Sequence, residues 1–198
     1  MEFKLFGTKI YVSFLFWCLV CFMLALDRTG LIIPLLASVL LHECAHLLFM
    51  YLCGSQPKSI RLIPASVQII RGLSKKENAE IYIAAAGPIA NLIVALILLV
   101  DYLVFKGEGV LKLCLLNLSV ATFNLLPLWG LDGGTILSHI ISRYSTLPFK
   151  GERVVRIITL FFGVFFFGAG IFFALWHKTN LSFFAVALYL IISSVVRQ

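Results

Sequence analysis

Charge is what this sequence has least of. Only 13% of its 198 residues are Asp, Glu, Lys or Arg, and nine acidic side chains face sixteen basic ones. A soluble globular domain carries about 25% charged residues, so a water-exposed domain of this size is excluded. Cysteine is scarce and odd in number: Cys18, Cys21, Cys44, Cys53 and Cys114 all lie in or beside apolar runs. That excludes a disulfide framework. The redox-like spacing of Cys18 and Cys21 falls inside an apolar run and reads as packing. There is no internal repeat, no low-complexity segment and no polar stretch long enough for an inserted soluble domain. Whatever the chain does, its apolar part does it.

That part dominates: 61% of residues are hydrophobic and the mean hydropathy is +1.04. Six apolar runs approach the ~20 residues that cross a bilayer. They fall at about 10–26, 31–52, 79–105, 110–127, 157–176 and 181–196. The expected fold is therefore an all-α polytopic membrane protein of about six transmembrane helices. We expect one membrane-embedded domain over residues 1–198, with a motif-bearing core at about 31–140 and further spans at 10–26, 157–176 and 181–196. The first run could instead be a signal peptide, but "ALDRTG" is a poor cleavage site, so a retained span is expected.

The cations set the orientation. With the amino terminus in the cytoplasm, twelve cations lie inside (Lys4, Lys9, Lys58, Arg61, Arg71, Lys75, Lys76, Arg143, Lys150, Arg153, Arg156 and Arg197). Four lie outside: Arg28, Lys106, Lys112 and Lys178. This split follows the positive-inside rule and puts both termini of an integral membrane protein in the cytoplasm. The net charge of +7 thus reports topology. No stretch is a basic aromatic platform, so nucleic acid is not an expected partner.

One loop, residues 54–80, differs from the rest. Ile60 and Leu62 flank Arg61, and Val67 and Ile69 flank Gln68. Period two predicts two short strands bent at Pro64, a small re-entrant or surface β-hairpin between spans two and three. The alternative is a partly apolar loop lying on the membrane surface. Ser74 followed by Glu77 has the spacing of a capping box, so the third span is expected to start as a helix in the cytoplasm.

Ionisable side chains are costly at membrane depth, yet His42, Glu43 and His46 interrupt the second run. Histidines four apart share one helix face and can reach one ion. Glu43 projects about 100° from His42, beside the ion, where it can serve as a general base without ligating. The alternative is a pair of histidines hydrogen-bonded between helices. Cys44 lies about 200° round the helix from His42 and points away. A catalytic zinc usually takes three protein ligands plus water. Asp27 lies in an expected outside loop, and Asp101 beside Tyr102 and Lys106 suits the interface. Asp132 sits in "NLLPLWGLDGG", where Pro127, Gly130, Gly133 and Gly134 break the fourth run. Broken backbone at that depth is tolerated where protein or water covers it, so Asp132 is the candidate third ligand. Spans two and four run in the same direction, which brings His46 and Asp132 to the same, cytoplasmic half.

The third run contains "AAAGPIAN", residues 84–91. Its small residues let helices approach closely, and Pro88 frees a backbone carbonyl. Asn91 either donates to a developing oxyanion or makes a helix–helix hydrogen bond. Asn117 and Asn124 share a face of span four and read as interhelical hydrogen-bonding groups. His139 and His177 lack ligand spacing and suit interfaces.

HECAH on one span, GPIAN on the next and N-x-x-P ending in LDGG on the third together resemble the site-2 protease family of intramembrane zinc metalloproteases. The resemblance covers about residues 31–140. The short loops look most like the branch that includes the stage IV sporulation protease. The resemblance implies one zinc ion on His42, His46 and Asp132, Glu43 as the activator of water, and Asn91 as the family's asparagine near the active site. It implies a membrane-associated or single-span protein substrate and a place in the bacterial cell membrane. Cys-Ala stands where the family often has Leu-Gly. Trp129 stands where many members carry a second proline. The branch's cytoplasmic nucleotide-sensing CBS domain is absent from this sequence, as is the PDZ domain of another branch, so regulation through them is not expected.

Two function classes follow. The first is a zinc endopeptidase cutting a peptide bond in or near the membrane, in its cytoplasmic half. The second is a membrane zinc-binding or transport protein without hydrolytic activity. Transport needs no glutamate directly after the first histidine. Membrane peptidases of the CaaX type use a later glutamate as third ligand, and Glu108 and Glu152 have no suitable apolar context.

Overall fold

The computed structural model describes residues 2–5, 8–55, 57–63, 66–71, 79–145, 150–176 and 181–195. They fall into two compact units, Met1–Phe123 and Asn124–Gln198. The bend at Pro64, the Ser74–Glu77 capping box and His177 lie outside the described residues.

The first unit starts with strands β1 (Glu2–Leu5) and β2 (Thr8–Val12), followed by helices α1 (Phe14–Leu26) and α2 (Ile32–Leu52). Strands β3 (Pro57–Ile63) and β4 (Ser66–Arg71) come next, then α3 (Ala79–Phe105) and α4 (Glu108–Asn124). The strands form one sheet in the order β1-β2-β3-β4. β2 and β3 are parallel, with Ile10 opposite Ile60. β3 and β4 are antiparallel, with Arg61 opposite Gln68. The expectation of an otherwise all-α chain is corrected here. The first apolar run does not become helical at residue 10, because Thr8–Val12 pairs with both β1 and β3. β-Branched and aromatic residues (Thr8, Ile10, Tyr11, Val12) favour that pleated strand. The helix begins only after Ser13.

The helices expose large apolar side chains and bury small apolar residues together with a few polar ones. α2 buries Ser38, His42, His46 and Met50, one residue per turn. α3 buries Ala79, Ile83, Gly87, Asn91 and Ala95 at the same spacing, with Ala84, Ala86 and Pro88 beside them. Leu40, Leu48, Ile93, Leu96 and Ile97 stay exposed. α2 and α3 pack against each other, and the small α3 side chains let the backbones come close. Met50, Ala79 and Ile83 form an apolar cluster beyond the histidines, with Leu47 and Cys53 against it. α4 adds buried Cys114, Asn117 and Ala121.

The second unit contains the turn after α4, then α5 (Asp132–Arg143), α6 (Lys150–Trp176) and α7 (Leu181–Val195). Its helices pack through glycines. A Cβ on Gly151 would overlap the Ser138 carbonyl, and one on Gly163 would press on Ile191. Phe167 meets Phe184 edge to face, with ring centroids 5.6 Å apart.

Among the described residues, α2, α3 and Lys150–Phe173 of α6 are long and apolar enough to cross a membrane. α1, α4 and α7 have 13, 17 and 15 residues. The run expected at 110–127 ends as helix at Asn124, and Asp132 opens a separate helix.

Candidate metal centre

His42 and His46 are 3% and 7% exposed, in the interior of an otherwise apolar helix. Their rings meet edge to face with centroids 4.7 Å apart. An imidazole at such a place needs its orientation and tautomer fixed, and α3 fixes both. His46 Nδ1 lies 2.7 Å from the Ile83 carbonyl oxygen. A carbonyl only accepts, so Nδ1 carries the proton and Nε2 presents its lone pair. Pro88 lacks an N–H for the Ala84 carbonyl, although α3 runs on through it from Ala79 to Phe105. The acceptor His46 uses is the neighbouring carbonyl, that of Ile83.

His42 Nδ1 lies 2.8 Å from Asn91 Oδ1. The rest of the network sets the direction. Asn91, fully buried, shares its two Nδ2 hydrogens among three acceptors, the Ser38 carbonyl (3.1 Å), Ser38 Oγ (2.9 Å) and Asn117 Oδ1 (2.9 Å). Ser38 Oγ donates to Asn117 Oδ1 at 2.9 Å, and Asn117 Nδ2 donates to the Leu113 carbonyl at 3.0 Å. Each amide has its NH2 on a carbonyl that can only accept, so neither can be flipped without loss. Asn91 Oδ1 therefore accepts from His42 Nδ1–H, and Nε2 is again the ligand atom. Of the two roles weighed for Asn91, the hydrogen bonds match the interhelical one. Its NH2 is engaged by α2 and α4, and its oxygen orients His42.

Gly87 lies between these two hydrogen-bonded rungs. A Cβ there would overlap Nε2 of both His46 and His42. Ile83, Gly87 and Asn91 are spaced by four, so one face of α3 supplies carbonyl, open space and amide in succession. Two neutral imidazoles with Nε2 lone pairs converging on one side-chain-free position suit zinc, a borderline-soft ion that favours imidazole nitrogen. Glu43, next to His42 on α2, is partly buried.

In the second unit, Asp132 is the first residue of α5 and is partly buried. The positive end of the helix dipole there favours a carboxylate. Gly130 takes φ +89°, a left-handed turn that reverses the chain before the helix. The two glycines that follow Asp132 allow backbone to pack on backbone. A Cβ on Gly133 would overlap the Leu125 and Leu126 carbonyls, and one on Gly134 the Leu128 carbonyl.

Of the residues expected to act in this chemistry, His42, Glu43 and His46 lie on α2, Asn91 on α3 and Asp132 at the start of α5. Cys44 and His139 are exposed. Sequence reasoning passed over Ser38, the Ile83 carbonyl and the role of Gly87. The signal was present: Ser38 precedes His42 by one turn, and Ile83, Gly87 and Asn91 repeat every four residues.

The chain is similar to known proteins. The profile of peptidase family M50 matches residues 30–113 and 108–166. The chain is 32% identical over 153 residues to a zinc metalloprotease of Methanocaldococcus jannaschii, covering 71% of this chain and 45% of the relative. It is 26% identical over 155 residues to stage IV sporulation protein FB of Bacillus subtilis, covering 76% and 53%. The chain spans about half the length of these curated relatives. Among solved structures, the site-2 protease from Methanocaldococcus jannaschii superposes with a TM-score of 0.72 at 25% identity, covering 100% of this chain and 97% of that one.

Proposed function

This chain belongs to peptidase family M50, and on that premise we propose that it is a zinc endopeptidase of the site-2 type. Its substrate is a membrane-associated or single-span protein, cut in or near the bilayer. The observation that carries this reading is the convergence of the two Nε2 atoms on Gly87, with each Nδ1 engaged by α3. Histidines kept only for packing have no need of a bare backbone at that point.

One zinc ion would be held by His42, His46 and Asp132, since two imidazole nitrogens and a carboxylate oxygen are a donor set that suits zinc. Three protein ligands would suit a catalytic rather than a structural zinc site. When bound, the metal supplies a Lewis acid for the scissile carbonyl and lowers the pKa of water. The chain's own residues do the rest. Glu43 accepts a proton from the attacking water as the new C–O bond forms. It returns that proton to the leaving amine nitrogen as the C–N bond breaks. Ile83 and Asn91 hold the two imidazoles in one tautomer throughout.

The same reading treats residues 1–198 as one membrane-embedded domain of about six spans, with both termini cytoplasmic, in a bacterial cell membrane. The split of cations across the loops supports that orientation. It puts the carboxyl end of α2 at the inner boundary, with His46 roughly 9 Å from it at 1.5 Å per residue. Water would reach the site from the cytoplasm.

Metal analysis of purified Asp132→Ala tests the ligand set. Clearly weaker zinc retention than in the unaltered protein is expected. Full occupancy with unchanged cleavage would remove Asp132 from the site.

A further inference from the structure

The segment that leads into Asp132 is gripped from α6. The Trp129 backbone N–H donates to Thr159 Oγ1 at 2.7 Å. Thr159 is fully buried, and its hydroxyl donates to the Val155 carbonyl at 2.8 Å. The directions are unambiguous, because an amide N–H only donates and a carbonyl only accepts. The Trp129 ring lies under the Arg156 guanidinium, whose carbon is 4.0 Å from the ring centroid. Arg156 Nη1 donates to the Ser194 carbonyl on α7 at 3.1 Å. The gripped segment is itself tightly closed. Leu128 N–H donates to Leu126, Leu131 N–H to Leu128, and Thr135 N–H to Leu131.

We propose that Trp129, Thr159 and Arg156 form a clamp that positions the Asp132 carboxylate. They are positioning residues, since none of them is a ligand. The proposal rests on the reading of Asp132 as a zinc ligand. A carboxylate on the first residue of a helix is aimed by the turn before it. That turn holds the left-handed Gly130. Without an anchor, such a turn can rotate as a unit and carry Asp132 with it. Trp129 provides two anchors three residues upstream: an N–H fixed to a buried hydroxyl, and a ring fixed under a cation that is itself tied to α7. A proline at 129 would have no N–H to give Thr159. Trp129 and Thr159 are thus a matched pair, and α6 and α7 become part of the metal centre.

The test is a set of zinc affinities, measured by competition with a chromophoric chelator, for the full chain in detergent. Thr159→Val keeps the shape and removes the acceptor. It is expected to weaken zinc about tenfold, the scale typical of residues that orient ligands. Thr159→Ser keeps the hydroxyl and should restore the affinity. Arg156→Met should weaken zinc in the same direction, and it serves if Thr159→Val does not fold. In an Asp132→Ala background neither substitution should weaken zinc further, because their effect passes through Asp132. Wild-type affinity in both variants, or equal losses with and without Asp132, would overturn the clamp while leaving Asp132 as a ligand. Unchanged zinc in Asp132→Ala itself would overturn the ligand reading and the clamp with it.

Discussion

His42 Nδ1 and Asn91 Oδ1, on neighbouring helices, are 2.8 Å apart and form one end of a buried hydrogen-bond chain that continues through Ser38 and Asn117 to the Leu113 carbonyl. The Leu113 and Ser38 carbonyls, which only accept, fix the direction of that chain. The tautomer of a histidine on α2 is thereby set from α4.

The Asn91 amide can be tested directly. Asn91→Leu removes the acceptor and strands His42 Nδ1–H in an apolar interior. Zinc affinity should fall about 10–100-fold, as when other groups that orient ligands are lost. Asn91→Asp retains an oxygen for His42 and should keep most of the affinity. Chelator competition distinguishes them, and equal affinities in Asn91→Leu and the unaltered protein would leave Asn91 a packing residue.

Gly87→Ala is expected to be worse for zinc than for the fold. The added methyl would overlap Nε2 of both histidines, and the rings would have to turn away. Zinc content should drop to a small fraction of stoichiometric. The helical circular dichroism and elution volume in detergent should be retained. Stoichiometric zinc in this variant would mean that the ion does not sit below Gly87.

A substrate helix shields its peptide bonds, so a protease needs an extended strand to cut. β3 is bonded on both sides, whereas β4, Ser66–Arg71, is an edge of the sheet. Among the described strands, the edges open to an incoming peptide are therefore those of β4 and β1. Proline at Val67 or at Gln68 removes an N–H from alternate sides of the strand. One of the two should reduce cleavage while leaving zinc bound, and cysteines on β4 should crosslink to substrate residues flanking the cut. Full activity in both variants with no crosslinks would exclude this edge.

The turn between α1 and α2 carries a pH dependence of its own. Asp27 accepts hydrogen bonds from the Ile32, Thr29 and Gly30 backbone and from the Thr29 hydroxyl. The Ile32 N–H leads in holding its pKa at about 2, below the usual 3.8. The carboxylate form is thus the one the fold stabilises. That contribution is fully present above 3.8 and disappears as pH falls through about 2. The melting temperature of Asp27→Asn should lie below that of the unaltered protein at pH 7, and the gap should close between those two values. A gap of the same size at pH 2 and pH 7 would refute the assignment.

The sequence carried the chemistry more clearly than the architecture. His42, Glu43, His46 and Asp132 stood out as candidates because ionisable groups are conspicuous against an apolar background, and the two histidines are one helix turn apart. The break around Asp132 was legible from Pro127, Gly130, Gly133 and Gly134. The strand at Thr8–Val12 was not, since a short apolar β-strand and the start of an apolar span have the same composition. Its pairing with β3 joins residues some fifty positions apart, which no local pattern reports. The role of Asn91 stayed undecided for a related reason. A buried amide can face a substrate or another helix, and only its partners Ser38, His42 and Asn117 distinguish the two.

Glu43→Gln is the decisive variant, because it changes one oxygen to NH2 beside an intact ligand set. The measurement is cleavage of a single-span substrate by purified protein with zinc quantified in the same sample. The unaltered protein should hold one zinc and cleave. Glu43→Gln should hold the same zinc and lose roughly 10²–10⁴-fold in rate, the range a positioned base supplies. Cleavage by the zinc-loaded variant at the unaltered rate would contradict the account. So would zinc flux into liposomes by an unaltered protein that cleaves nothing.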